Sequence, residues 1–219
     1  MKSPERVRVL IVDDQRMFAD GLAAALDREP DIDVVGTASL MGESVEKASA
    51  VRPNVVVLDH LLPDGDGIEA TILIKHEVPD ASVVMVTQLD DANVAARAVE
   101  TGCSGFVTKD KPIEEVVAAI RAAAAGEAII TPTMLARLFE RYRRTPDAVG
   151  EALSARELDV LRLLGEGFDN ATVAKRLAVK VTTVRNHVQS IIGKLGVHSK
   201  LEAVIVAMRE GLISPPRHE

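Results

Sequence analysis

Aromatic residues are nearly missing from this 219-residue chain: it has no tryptophan, one tyrosine and four phenylalanines, 2% in all. That scarcity argues against stacking on bases or sugars as a principal activity, because such sites are built on aromatic platforms. Cysteine is as scarce. A single Cys103 allows no disulfide framework within one chain and fits a reducing cytosol. No stretch approaches the roughly 20 apolar residues that a membrane helix needs. The opening, MKSPERVRVLIVDD, is charged on both sides of a short apolar run, which is not the pattern of a secretory signal. A cytoplasmic location without membrane association is expected.

What the chain does have is aliphatic bulk and uneven charge. Hydrophobic residues make up 47%, ample for a core, and the length suits two domains better than one. Net charge is −7. Residues 1–125 hold 12 Lys and Arg against 22 Asp and Glu, a net of −10, while residues 126–219 hold 14 against 11, a net of +3. Such asymmetry suggests an acidic module joined to one that tolerates a polyanion.

In the first half, aliphatic runs alternate with helical patterns. Strands are expected at 7–12 (VRVLIV), 33–38 (DVVGTA), 54–59 (NVVVLD), 82–87 (SVVMVT) and 105–109 (GFVTK). Phe18, Leu22, Ala25 and Leu26 share one helical face, as do Ile113, Val116, Val117 and Ile120. Pro112 suits the first turn of the latter helix. Five strands alternating with helices imply a doubly wound, five-stranded parallel sheet, an α/β fold.

Such sheets carry their sites at the carboxyl ends of the strands. The polar residues there are Asp13 and Asp14 after the first strand, Asp59 at the end of the third, Thr87 after the fourth and Lys109 after the fifth. A lone aspartate at a strand end is usually a turn or cap residue. Three that crowd together repel one another, and a divalent cation with a preference for oxygen, Mg²⁺, relieves that. Lysine adds a positive charge and threonine a hydroxyl donor. The set suits phosphoryl transfer, with Asp59 as nucleophile and the pair at 13 and 14 placed to hold metal.

VLIVDD, VVVLD…LPDGDG, MVT and GFVTKD together resemble the CheY-like receiver domain of response regulators over about 120 residues. The resemblance implies that Asp59 accepts a phosphoryl group from a sensor histidine kinase. It implies that Asp13, Asp14, Asp59 and the backbone carbonyl of Leu61 bind Mg²⁺. Thr87 and Lys109 are expected to contact the phosphoryl group, and Phe106 to change rotamer in the switch. Three features depart from the family. Lys109 is followed by Asp110 rather than proline, so no cis-proline is expected there. Gln88 stands where a small residue is common, and its length would alter access to the phosphate. Phe106 lacks the hydroxyl of a tyrosine. His60 is read as a surface or packing residue, since no second His or Cys lies at ligand spacing, and Cys103 as a small buried hydrophobe.

Residues 126–152 change character, with Gly126, Pro132, Pro146 and a basic run, RYRR, at 141–144. They are read as a linker containing a short helix around Met134, Leu135, Leu138 and Phe139. From Leu153 to about residue 213 the pattern is all helical. Ser154 and Glu157 form a capping-box pattern, Gly165 and Gly167 end that helix, and Asp169 is the expected N-cap of a second, short helix. In a third helix Val184, Val188, Ile191 and Leu195 make an apolar stripe, opposite Thr182, Arg185, Asn186, Gln189 and Gly193. A fourth carries Leu201, Val204, Ile205 and Met208 on one face.

Two short helices, the second with a polar outer face, suit a helix-turn-helix, whose recognition helix fits the DNA major groove. Arg185 can bond guanine bidentately, and Asn186 or Gln189 adenine. Thr182 and Thr183 stand at the helix start, and Lys175, Lys180 and Lys194 are candidates to hold phosphates. LSARELDVLRLLGEG, NATVAKRLAV, TTVRNHVQSIIGKLGV and KLEAV resemble the LuxR-type helix-turn-helix of NarL/FixJ response regulators, over about 60 residues. The resemblance places Arg185, Asn186 and Gln189 toward the bases and makes the last helix a dimer surface. Lys180 replaces the serine that usually caps the recognition helix, so that cap is lost or moves to Thr182.

The expectation is a receiver domain at 1–125, a linker at 126–152 and an all-α, four-helix DNA-binding domain at 153–213. The protein would be a response regulator that binds promoter DNA as a homodimer once phosphorylated, and would not be a turnover enzyme. The alternative is a phosphorylation-independent DNA-binding regulator controlled by protein contacts. A phosphatase of the haloacid dehalogenase type wants Asp-x-Asp after the first strand, where this chain has Asp13-Asp14-Gln15.

Overall fold

The computed structural model describes residues 6–88, 92–127 and 153–214. The chain divides into two compact units, Met1–Ile129 and Ile130–Glu219. Most of the segment read as a linker, including RYRR and its expected short helix, lies outside the described residues.

The first unit runs β1 (Val7–Val12), α1 (Arg16–Leu26), β2 (Ile32–Ala38), α2 (Met41–Val51), β3 (Val55–Asp59), β4 (Leu61–Leu62), β5 (Gly65–Asp66), α3 (Gly67–Glu77), β6 (Ser82–Thr87), α4 (Ala92–Glu100), β7 (Gly105–Thr108) and α5 (Ile113–Ala124). Five strands form one sheet in the order β2-β1-β3-β6-β7, and every neighbouring pair is parallel. The aliphatic runs make these strands because β-branched side chains fit a pleated surface covered on both faces. Alternation then divides them. Val9, Ile11, Val55, Val57, Val84 and Val86 pack with Leu22 and Leu26 of α1 and Val116, Val117 and Ile120 of α5. Their neighbours Leu10, Val56, Leu58, Val83 and Met85 are equally buried and face the other layer, α2 to α4. A two-stranded bridge, β4 against β5, follows β3.

The second unit holds four helices among the described residues: α6 (Ala155–Gly165), α7 (Asn170–Arg176), α8 (Val181–Leu195) and α9 (Lys200–Arg209). Ser154 caps α6 in a complete capping box with Glu157, and Asp169 caps α7 through the N–H of Thr172. The core joins Val160, Leu161 and Leu164 to Val184, Val188 and Ile191 and to Val204 and Met208. α8 ends on Gly196 at φ +65°, a left-handed position that glycine adopts without a steric penalty.

Candidate functional site

Strand register assembles the acidic site. Val12 pairs with Leu58, so Asp13, one residue on, lies beside Asp59. On the other side Asp59 pairs with Val86, one residue before Thr87, and Thr87 pairs with Thr108, one residue before Lys109. All five polar residues therefore leave the sheet at its carboxyl edge. One ligand atom from each of Asp13, Asp14 and Asp59 can be chosen so that all lie within 4.8 Å of one another. Asp13 and Asp59 are buried and Asp14 is exposed.

The Lys109 ammonium bridges the two buried carboxylates, 2.7 Å from Asp13 Oδ2 and 2.6 Å from Asp59 Oδ2. The Lys109 N–H donates to the Thr87 carbonyl at 2.7 Å, which anchors the base of the lysine. Its Nζ also lies 4.8 Å from the centroid of the Phe18 ring on α1, a favourable electrostatic contact. Burial raises the pKa of Asp13 above the usual aspartate value, against hydrogen bonds from Lys109 and from the N–H of Gln15.

The donor set is oxygen alone and leaves one side open at Asp14, which fits a hard cation that retains water. The Leu61 N–H lies 3.4 Å from Asp59 Oδ1, so this peptide adjoins the cluster. Thr87 is 1% and Phe106 6% exposed, both within the sheet. Lys109 and Asp110 are joined by a trans bond, as no cis peptide occurs among the described residues.

The loop after Asp59 is held by residues that local sequence patterns did not single out. Asp64 accepts from the N–H groups of Met41 (2.6 Å) and Gly42 (3.1 Å), supplying the cap that α2 lacks from its own Leu40. Asp66 caps α3 through the N–H of Ile68 at 2.8 Å and lies 3.5 Å from Arg97 of α4. His60 is buried, with Nδ1 3.2 Å from Asp66 Oδ1. The signal was the turn-forming run PDGDG, but which helix each aspartate would cap depends on the fold. Cys103 is buried 3.6 Å from the Thr71 hydroxyl, and desolvation pushes its thiol up to about 12.

In the helical unit, Thr182, Arg185, Asn186 and Gln189 are exposed along α8, opposite the buried stripe, and Thr183 is half-buried. Lys175 and Lys180 are exposed. Lys180 occupies the N-cap position of α8 without a side-chain cap, so the serine-type cap is lost rather than moved to Thr182. Lys194 is engaged by Glu157 Oε2 at 2.8 Å, and the phosphate contact expected of it competes with that ion pair. Ala178, in the turn between α7 and α8, holds φ +54°.

Comparison with known proteins agrees with this division. The family model described as response regulator receiver domain matches residues 9–121, and that of the bacterial regulatory proteins of the luxR family matches residues 151–207. The transcriptional regulatory protein LnrK of Bacillus subtilis is 32% identical over 94% of this chain and 98% of its own length. The crystal structure of response regulator ChrA, from a heme-sensing two-component system, is similar at 31% identity and a TM-score of 0.51, covering 95% of this chain and 99% of that one. The two-component response regulator RcsB in complex with DNA is similar at 25% identity and a TM-score of 0.57, over 94% and 99%.

Proposed function

The chain belongs to the LuxR-type response regulators, with a receiver domain followed by a LuxR-type DNA-binding domain, and on that ground we propose that Asp59 is the phosphoacceptor through which a sensor histidine kinase controls its binding to promoter DNA. The observation that carries this reading is the Lys109 ammonium bridging Asp13 and Asp59 beside Asp14 at the carboxyl edge of the sheet.

In the transfer, an Asp59 carboxylate oxygen bonds to phosphorus while the bond from phosphorus to the donor's nitrogen breaks. Asp13, Asp14, Asp59 and the Leu61 carbonyl would hold Mg²⁺, which when bound offsets charge on the phosphoryl oxygens. Lys109 exchanges its carboxylate contact for a phosphoryl oxygen, and the Thr87 hydroxyl donates to another. The new group adds about −1.5 to −2 charges. Closure of Thr87 and Lys109 draws Phe106 with it and repacks the surface over β6 and β7, a shift of a few kcal/mol at most.

That shift releases or dimerises the DNA-binding domain. In the homodimer two α8 helices meet half-sites about one DNA turn apart. Arg185, Asn186 and Gln189 read bases, with Thr182 and Thr183 at the helix start and Lys175 and Lys194 toward phosphates. The receiver accepts one phosphoryl group and is not a turnover enzyme. The protein acts in the cytoplasm. No described helix is long and apolar enough to cross a membrane.

The test is labelling with a small phosphodonor and Mg²⁺. The wild-type protein should take up label and Asp59→Asn should not. Equal labelling of the variant, or steady hydrolysis of a phosphomonoester, would contradict the assignment.

A further inference from the structure

The carboxyl edge of the sheet carries a side-chain contact that the transfer does not use. Gln15 follows the acidic pair after β1, and Gln88 follows Thr87 at the end of β6. Their carboxamides meet, with Gln88 Nε2 donating to Gln15 Oε1 at 3.1 Å across 73 residues of sequence. Sheet order gives this bond its meaning. β3 lies between β1 and β6, and Asp59 is the last residue of β3. A bond between residues just beyond β1 and β6 therefore spans the end of β3. The two flanking strands are about 9 to 10 Å apart, a gap that two glutamine side chains can close. The Gln15 N–H also donates to Asp13 Oδ1 at 2.9 Å, which fixes one side of the bridge to the acidic cluster.

Taking Asp59 as the phosphoacceptor, as above, we propose that Gln15 and Gln88 form a latch over the acyl phosphate that restricts water and so sets how long the phosphorylated state lasts. Loss of the phosphoryl group requires a water oxygen to bond to phosphorus from the side opposite Asp59. The bond from phosphorus to the Asp59 oxygen breaks, its electron pair returns to the carboxylate, and the water's proton passes to the departing phosphate or to solvent. The bridged carboxamides occupy the solvent approach to that face. They are shielding residues rather than catalytic ones, and their hydrogen bond holds two flexible side chains in one arrangement.

The experiment labels the full chain with radiolabelled acetyl phosphate in Mg²⁺, removes the donor and follows loss of label. Gln88→Ala and Gln15→Ala should each shorten the half-life about fivefold, the factor that one net hydrogen bond is worth. The double variant should lose no more than either single one, because both remove the same bond. Gln88→Met, which keeps length without the carboxamide, should behave as Gln88→Ala does. The thermal midpoint and the Mg²⁺ concentration for half-maximal labelling should stay as in the wild type, since the latch holds neither the fold nor the ion. An unchanged or longer half-life in the single variants, additive losses in the double variant, a wild-type half-life in Gln88→Met, or a shifted Mg²⁺ requirement each overturns the latch. Labelling of the wild type with unaltered decay in the variants defeats the latch and leaves the phosphoacceptor reading standing. A wild-type chain that takes no label removes both.

Discussion

A Cβ on Gly67 would lie 2.2 Å from the carbonyl oxygen of Asp59 and 2.9 Å from the Cα of His60. Both neighbours are backbone, so neither can swing aside as a side-chain tip could. The Gly67 N–H donates to the His60 carbonyl at 2.7 Å, which draws the start of α3 against the end of β3. Glycine is required here by close approach. Gly67→Ala should destabilise the receiver by about 1–3 kcal/mol, the range of overpacking in a close-packed interior, and should lower labelling of Asp59 by displacing the loop behind it. Urea unfolding followed by circular dichroism, with phosphodonor labelling of the same protein, checks both. The turn character of PDGDG is legible in the sequence. The contact that makes the last glycine necessary is not, because it depends on where α3 meets β3.

α8 is held in place by more than its apolar stripe. Glu157, in the first turn of α6, accepts from Lys194 Nζ at 2.8 Å, from the Ser190 hydroxyl at 2.6 Å and from the Ser154 N–H at 2.7 Å. Lys194 first, then Ser190, hold its pKa down to about 2, against a reference of 4.5. Glutamate is buried here, and its charge is compensated by donors from two helices. The folded-state value is depressed, so its stabilisation is full above pH 4.5 and is lost as pH falls toward 2. Glu157→Gln should therefore cost about 2–3 kcal/mol at pH 7. The gap between variant and wild type should narrow at pH 3, read from the unfolding transition of the helical unit. The capping box of Ser154 and Glu157 is visible as a four-residue pattern. Its extension to α8 joins residues 37 apart and needs the bundle to bring them together.

The whole molecule joins an acidic α/β unit to a helical unit of net positive charge, and only the second is suited to meet a polyanion. On operator sites selected from randomised DNA, Arg185→Ala should weaken binding by about 1–3 kcal/mol and relax preference at one base pair. Lys175→Ala should weaken all sites alike and lower the salt slope by about one. Affinity measured over a range of salt concentrations separates the two. At this scale the sequence alone determined the layered α/β unit, the four-helix unit, the carboxylates at the ends of strands and the caps of α6 and α7. Each rests on residue types and spacings within a few positions, and local patterns carry that information. Tertiary structure alone decided that one ammonium serves both Asp13 and Asp59, that Asp64 caps α2, that Gln88 reaches Gln15 and that Lys194 pairs with Glu157. Those partners lie 23 to 96 residues apart, and strand order, register and helix packing brought them together.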